Sequence, residues 1–271
     1  MTTDAWLVAL DIDGTLLRAD GKVSASVVEQ VRRLDHAGHH VMLASGRSPG
    51  ATIPVLDALG IEPEYLVCSN GAVTLRRDEV TGGYRRHWVE LFDPTTVLRT
   101  VRSHLGQADF AVEDGAGRYL FTAPFPADAV GLDSDELAFV SFEDLLHQLV
   151  ARLVVVSPDR EVADFLGIVE RMGLRKVSYA VGWSAWLDIA ADGVNKATAM
   201  ERIRHRLGVQ RDRVMAIGDG HNDLEMLAWA GRHGRGVAMG QAPAAVADAA
   251  SEVTATVHDD GAAQILATLR A

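Results

Sequence analysis

Apolar residues gather in short unbroken runs along this chain, each closed by a turn signal. Trp6–Leu10 leads into Asp11-Ile12-Asp13-Gly14, Val41–Ala44 into Ser45-Gly46-Arg47, and Tyr65–Cys68 into Ser69-Asn70-Gly71. Val214–Ile217 leads into Gly218-Asp219-Gly220, and Gly236–Met239 into Gly240. None of the runs alternates apolar with polar, so each predicts a strand covered on both faces, as in a parallel sheet between helices. The stretches between them carry helical spacing. Ser26 and Glu29 read as a capping box for a helix with Val27, Val31 and Leu34 on its inner face and Gly38 at its close. Ala197–Leu207 predicts a helix stopped by Gly208, and Asn222 and Asp223 precede another stopped by Gly231. The alanine-rich stretch Ala242–Ala250 predicts a short helix. Alternating strands and helices define an α/β fold.

The middle of the chain reads differently. Residues 83–189 predict strands near Arg85–Glu90, Val150–Val156, Lys176–Val181 and Trp186–Ala190, and helices near Thr95–Leu105 and Asp159–Met172. Phe110–Val112 and Tyr119–Thr122 form a hairpin-like pair around Asp114-Gly115-Ala116-Gly117. This is an inserted α+β domain. It divides a discontinuous core of residues 1–82 and 190–271.

Composition narrows the function classes. Twenty-six basic residues stand against 37 acidic ones, a net charge of −11, which disfavours a nucleic-acid binder with a broad basic surface. The opening residues lack a basic region ahead of an apolar stretch, so no signal peptide is expected. No apolar run approaches the roughly 20 residues of a membrane span. Cys68, the one cysteine, is expected as a buried small hydrophobe in a reducing compartment, with the cytoplasm as the expected location.

The polar residues that follow the strands carry the chemistry. Carboxyl ends of parallel strands share one sheet edge, so Asp11, Asp13, Ser45, Asn70, Asp219 and Asp223 can converge there. Asp11 and Asp13, two apart on extended backbone, are expected roughly 7 Å apart on one face. Clustered carboxylates repel unless a cation or proton separates them, and hard oxygen donors suit Mg²⁺ before Zn²⁺. Alternatively, each aspartate caps a helix or turn. Lys196 at a helix start and Gly46 beside Ser45 suit an anion.

These residues resemble the motifs of the haloacid dehalogenase-like phosphatases. Asp11-Ile12-Asp13-Gly14-Thr15-Leu16-Leu17 is similar to the DxDGT signature, Ser45-Gly46-Arg47 to the second motif, Lys196 to the third, and Gly218-Asp219-Gly220-His221-Asn222-Asp223 to the GDGxND fourth. The insert position and Ser69-Asn70-Gly71-Ala72 resemble the Cof-like branch with a C2-type (IIB) cap. The resemblance implies a Rossmann-like three-layer core and an α+β cap that sets specificity. It implies Asp11 as nucleophile and Asp13 as general acid and base. It implies Mg²⁺ held by Asp11, Asp13 (through its carbonyl), Asp219 and Asp223. Ser45, Gly46, Arg47, Asn70, Lys196 and Asn222 would bind substrate or its phosphoryl group. Arg47 either reaches the leaving group or pairs with an acidic neighbour. Asn70 either lines the substrate floor or serves a turn. The expected substrate is a small phosphorylated metabolite, with a sugar phosphate foremost, and no nucleic-acid or membrane partner. A phosphomutase and a non-enzymatic sugar-phosphate sensor are the alternatives. A monomer and a homodimer are both compatible. Cap candidates for specificity are Arg85, Arg86, His87, Glu113, Asp114, Arg118, Trp183, Ser184 and Trp186.

Overall fold

The computed structural model describes residues 4–125, 138–157, 160–181 and 185–270. Its first elements are β1 (Leu7–Leu10), α1 (Ala25–His36), β2 (His40–Leu43), α2 (Pro49–Leu59), β3 (Tyr65–Cys68), β4 (Val73–Arg77) and β5 (Tyr84–Val89). Next come α3 (Thr95–His104), β6 (Asp109–Asp114), β7 (Tyr119–Phe121), β8 (Ala138–Phe139), β9 (Val150–Val156), α4 (Val162–Met172), β10 (Val177–Val181) and β11 (Trp186–Ala191). The chain ends with α5 (Lys196–Leu207), β12 (Val214–Gly218), α6 (Leu224–Gly231), β13 (Arg235–Ala238), α7 (Ala244–Ala249), β14 (Glu252–Val253) and α8 (Gly261–Leu266). Two compact units result: Met1–His87 with Asn195–Ala271, and Trp88–Val194. Both crossings fall a few residues later than the sequence boundaries, and at the first of them β5 lies in a sheet with β3 and β4.

The first unit is built on a parallel sheet in the order β14-β13-β12-β1-β2. All four residues of β1 have no exposed surface, as unbroken apolar runs require when both faces are covered. The chain leaves β1 towards β2 on one side and returns through β12 towards β13 on the other. The order therefore reverses between β1 and β12, a switch point of the kind at whose carboxyl ends ligands bind.

One expected strand departs from this sheet. Tyr65–Cys68 meets it through an isolated parallel bridge from Val67 to Ala44 and pairs antiparallel with β4. Helix α1 also starts differently. Ser24 caps it by accepting from the Val27 amide, while Ser26 donates to Asp260 at 2.6 Å, so no capping box forms at Ser26 and Glu29.

The second unit has a mostly antiparallel sheet in the order β10-β11-β9-β6-β7-β8, with β7 and β8 parallel. Val97, Leu98 and Val101 of α3 and Phe165 and Val169 of α4 pack over one face. Tyr119, Phe121, Phe125 and Trp186 cluster on the other. Among the described residues no helix is long and apolar enough to cross a membrane.

Candidate active site

The loop after β1 sends its two aspartates to different partners. Asp11 is buried, and its amide donates to the Ile217 carbonyl at 3.0 Å, tying it to β12. Its Oδ1 accepts from Lys196 Nζ at 2.6 Å. Asp13 instead turns outward, and its two oxygens accept from Arg47 Nη2 at 2.6 Å and Nε at 2.8 Å. Beyond Asp13 the backbone turns at Gly14, with φ +74°. That glycine is needed on a second ground: a Cβ there would lie 2.1 Å from Asp219 Oδ2.

Lys196 begins α5, where Asn195 caps the helix and Thr198 returns the bond to the Asn195 amide at 3.1 Å. The side chain is wholly buried and its ammonium bridges Asp11 and Asp223, the latter at 2.7 Å. Burial opposes the charge, but the two carboxylates outweigh it and hold the ammonium protonated above its ordinary range.

Asp223 also shapes the turn after β12. Its Oδ2 accepts from the Asp219 and Gly220 amides, both at 3.0 Å. Gly218 permits this approach, since a Cβ there would lie 2.4 Å from the Asp223 carboxylate. Asp223 therefore caps a turn and joins the cluster at once, so the two readings of this aspartate are not exclusive. One carboxylate oxygen from each of Asp11, Asp219 and Asp223 lies within 4.8 Å of the others. The Asp13 carboxylate stands outside this group, on Arg47.

The electrostatics follow from this crowding. Burial, with the neighbouring Asp223 charge, pushes the Asp11 carboxyl well above the ordinary range. Burial also pushes Asp219 up to about 6, opposed by a hydrogen bond from Gln241 and reinforced by Asp223. Among the described residues the four carboxylates pair with two cations, Lys196 and Arg47, so with all four ionised two negative charges are left over. A divalent cation matches that deficit, and carboxylate oxygens are its preferred donors.

The remaining expected residues lie around the same loops. Ser45 is buried, and its Oγ accepts from the Arg47 amide at 3.1 Å. Ser69 and Asn70 both take positive φ, at 50° and 52°, and Gly71 follows at 100°. This turn presents Asn70 Oδ1 to Asn222 Nδ2 at 2.9 Å. A Cβ on Gly46 would meet Asn70 Oδ1 at 3.0 Å. Of the two options for Arg47, the structure shows the acidic neighbour, Asp13. His221 is exposed and Cys68 is buried.

The cap candidates separate. Arg85, Arg86 and His87 fall in the first unit, on β5. Trp186 packs edge-on against Phe125 at 6.0 Å. Glu113 is buried and accepts from the Tyr119 hydroxyl at 2.6 Å. Arg118 and Asp114 pair across an exposed hairpin turn at 2.7 Å. Trp183 and Ser184 lie outside the described residues. Gln241 was missed from the sequence. It donates to Asp219 Oδ2 at 3.2 Å, and a glutamine after a Gly has no chemical signature to find.

A parallel sheet with acidic residues gathered at its switch point, a buried lysine among them, defines an α/β protein with a charged site at its strand ends. The chain belongs to the haloacid dehalogenase-like hydrolase family, whose profile matches residues 8–266. It is 27% identical over 277 residues to the 5-amino-6-(5-phospho-D-ribitylamino)uracil phosphatase YitU of Bacillus subtilis, covering 98% of each chain. It is 29% identical over 263 residues to a phosphoglycolate phosphatase of Halorubrum lacusprofundi, covering 97% of this chain and 96% of that one. The solved subclass IIB sugar phosphatase BT4131 superposes with a TM-score of 0.78 over 97% of this chain and 98% of its own, at 20% identity. At that identity the likeness is one of fold.

Proposed function

We propose that this enzyme is a Mg²⁺-dependent phosphatase that hydrolyses a small phosphomonoester, with a sugar phosphate as the substrate class, through an aspartyl-phosphate on Asp11. The observation that carries the reading is the buried Asp11–Lys196–Asp223 bridge beside Asp219. A lysine held at 0% exposure between two carboxylates, with a third alongside, has no packing rationale of its own. Relatives whose names specify small phosphorylated substrates support the same reading.

In this reading an Asp11 oxygen attacks phosphorus as the bond to the leaving oxygen breaks. Asp13 gives that oxygen a proton, then takes one from the water that displaces Asp11 and releases phosphate. Lys196 and Ser45 hold phosphoryl oxygens as charge spreads over them. Asn70 and Asn222, already joined, line the substrate side. Asp11, the Asp13 carbonyl, Asp219 and Asp223 would hold Mg²⁺, which when bound supplies positive charge to the phosphoryl oxygens. The second unit, as cap, would select the leaving group, and the expected setting is the cytoplasm.

The test is phosphate release across a panel of phosphomonoesters with Mg²⁺, run beside an assay for isomerisation of hexose phosphates. Phosphate release that stops with EDTA supports the reading. Isomerisation without release points instead to a mutase, and the absence of both reactions overturns the reading.

A further inference from the structure

Gln241 is exposed, yet both ends of its carboxamide are engaged. It follows β13 and Gly240 at the carboxyl edge of the parallel sheet. Its Nε2 donates to the Gly14 carbonyl at 2.6 Å and to Asp219 Oδ2 at 3.2 Å. Its Oε1 accepts from the Val257 amide at 3.0 Å. The orientation of the amide is fixed by chemistry. Val257 N–H can only donate, so the oxygen must face it; a carbonyl and a carboxylate can only accept, so the nitrogen must face them. One side chain therefore ties together the loops after β1, β12 and β14.

The tie has a consequence for Asp219. Gly14 crowds one side of its carboxylate, and Gln241 holds the oxygen nearest Gly14. Between them they set the plane of the group that shares the cluster with Asp11 and Asp223. Uncharged donors on a ligating carboxylate orient it without competing for the cation as a second ammonium would. Lys196 already bonds Asp11 and Asp223 but has no hydrogen bond to Asp219, so among the described residues the orienting side-chain bond to Asp219 comes from Gln241.

We propose that Gln241 is a positioning residue for divalent-cation binding, acting through Asp219 and coupling that carboxylate to the Asp13-Gly14 loop. The proposal rests on the Mg²⁺ reading above.

The test is calorimetric titration of the substrate-free full chain with Mg²⁺, paired with the Mg²⁺ dependence of turnover. Gln241→Met keeps length and removes both donor and acceptor. It should weaken Mg²⁺ binding roughly 10- to 100-fold, the usual cost of losing a partner of a metal ligand. Turnover at saturating Mg²⁺ and KM for substrate should change little. Gln241→Ala, which leaves no side chain to misplace, should shift Mg²⁺ affinity the same way. Native Mg²⁺ affinity in both variants would overturn the proposal, as would a lowered Tm with affinity unchanged, which marks a purely structural tie. If the unsubstituted chain binds no Mg²⁺, the metal reading itself fails and this proposal falls with it.

Discussion

Arg47 grips Asp13 by both carboxylate oxygens, at 2.6 and 2.8 Å, in a fork-to-fork pair. The hydrogen bond to Asp13 holds the guanidinium charged above its ordinary range. Asp13 cannot donate a proton while both oxygens accept from arginine. In the proposed cycle Arg47 must release Asp13 as substrate arrives, and a phosphate oxygen is the natural new partner for its fork. Arg47→Lys keeps the charge and loses the fork. It should raise KM and lower kcat/KM by about tenfold or more, the worth of about one charge-assisted hydrogen bond. Both side chains are substantially exposed, at 30% and 56%, so Tm should barely move. Unchanged steady-state kinetics would exclude Arg47 from the substrate path.

Lys196 is the buried cation between Asp11 and Asp223. Lys196→Met leaves those carboxylates facing each other without it. Breaking a buried pair costs about 3–5 kcal/mol, and urea denaturation should show a loss of that order together with loss of turnover. Adding Asp223→Asn should restore part of the stability, because one of the stranded charges is gone. Additive losses in the double variant would contradict the coupling.

The sequence displayed the site because its acidic and basic residues sit directly after apolar runs, where strand ends converge. Asp11 and Asp219 meet for that reason, Asp223 comes in on the turn after β12, and Lys196 comes in on the first turn of α5. That Asp13 pairs with Arg47 while Asp11 pairs with Lys196 was hidden, because the spacing of two aspartates does not say which cation each meets. Strand β14 was invisible because Glu252–Val253 is two residues long, too short for any periodicity. The α1 cap at Ser24 was obscured by a second serine, Ser26, whose hydroxyl is taken by Asp260, distant in sequence. Tyr65–Cys68 read as one more parallel strand because burial on both faces looks the same in either kind of sheet.

Helix α5, which carries Lys196, has its own acid-sensitive anchor. Glu201 accepts from Arg204 at 2.8 and 2.9 Å, from Arg211 at 3.0 Å and from Trp229 at 3.1 Å. The Arg204 bonds, outweighing burial and joined by Arg211 and Trp229, lower its carboxyl from 4.5 to about 2. A carboxyl depressed on folding contributes stability above its unfolded value, which is lost as pH falls through the folded one. The stability difference between the native chain and Glu201→Gln should therefore be full above pH 4.5 and shrink towards pH 2. A constant difference across that window would contradict the assignment.

Cation binding should also register in stability without any substrate. Mg²⁺ at about 100 times its dissociation constant should add about 2.7 kcal/mol, and EDTA should remove it. Asp219→Asn should abolish most of this gain, because it removes one oxygen donor and one of the uncompensated charges. An equal Mg²⁺-dependent shift in that variant would place the cation elsewhere.

The central claim is a covalent phosphoryl group on Asp11. Acid quench during turnover of a hydrolysed phosphomonoester, followed by peptide mass mapping, tests it most directly. The account predicts a phosphoryl adduct on the peptide containing Asp11, absent in Asp11→Asn and absent without Mg²⁺. Continued Mg²⁺-dependent hydrolysis by Asp11→Asn, or an adduct on another residue, would contradict it.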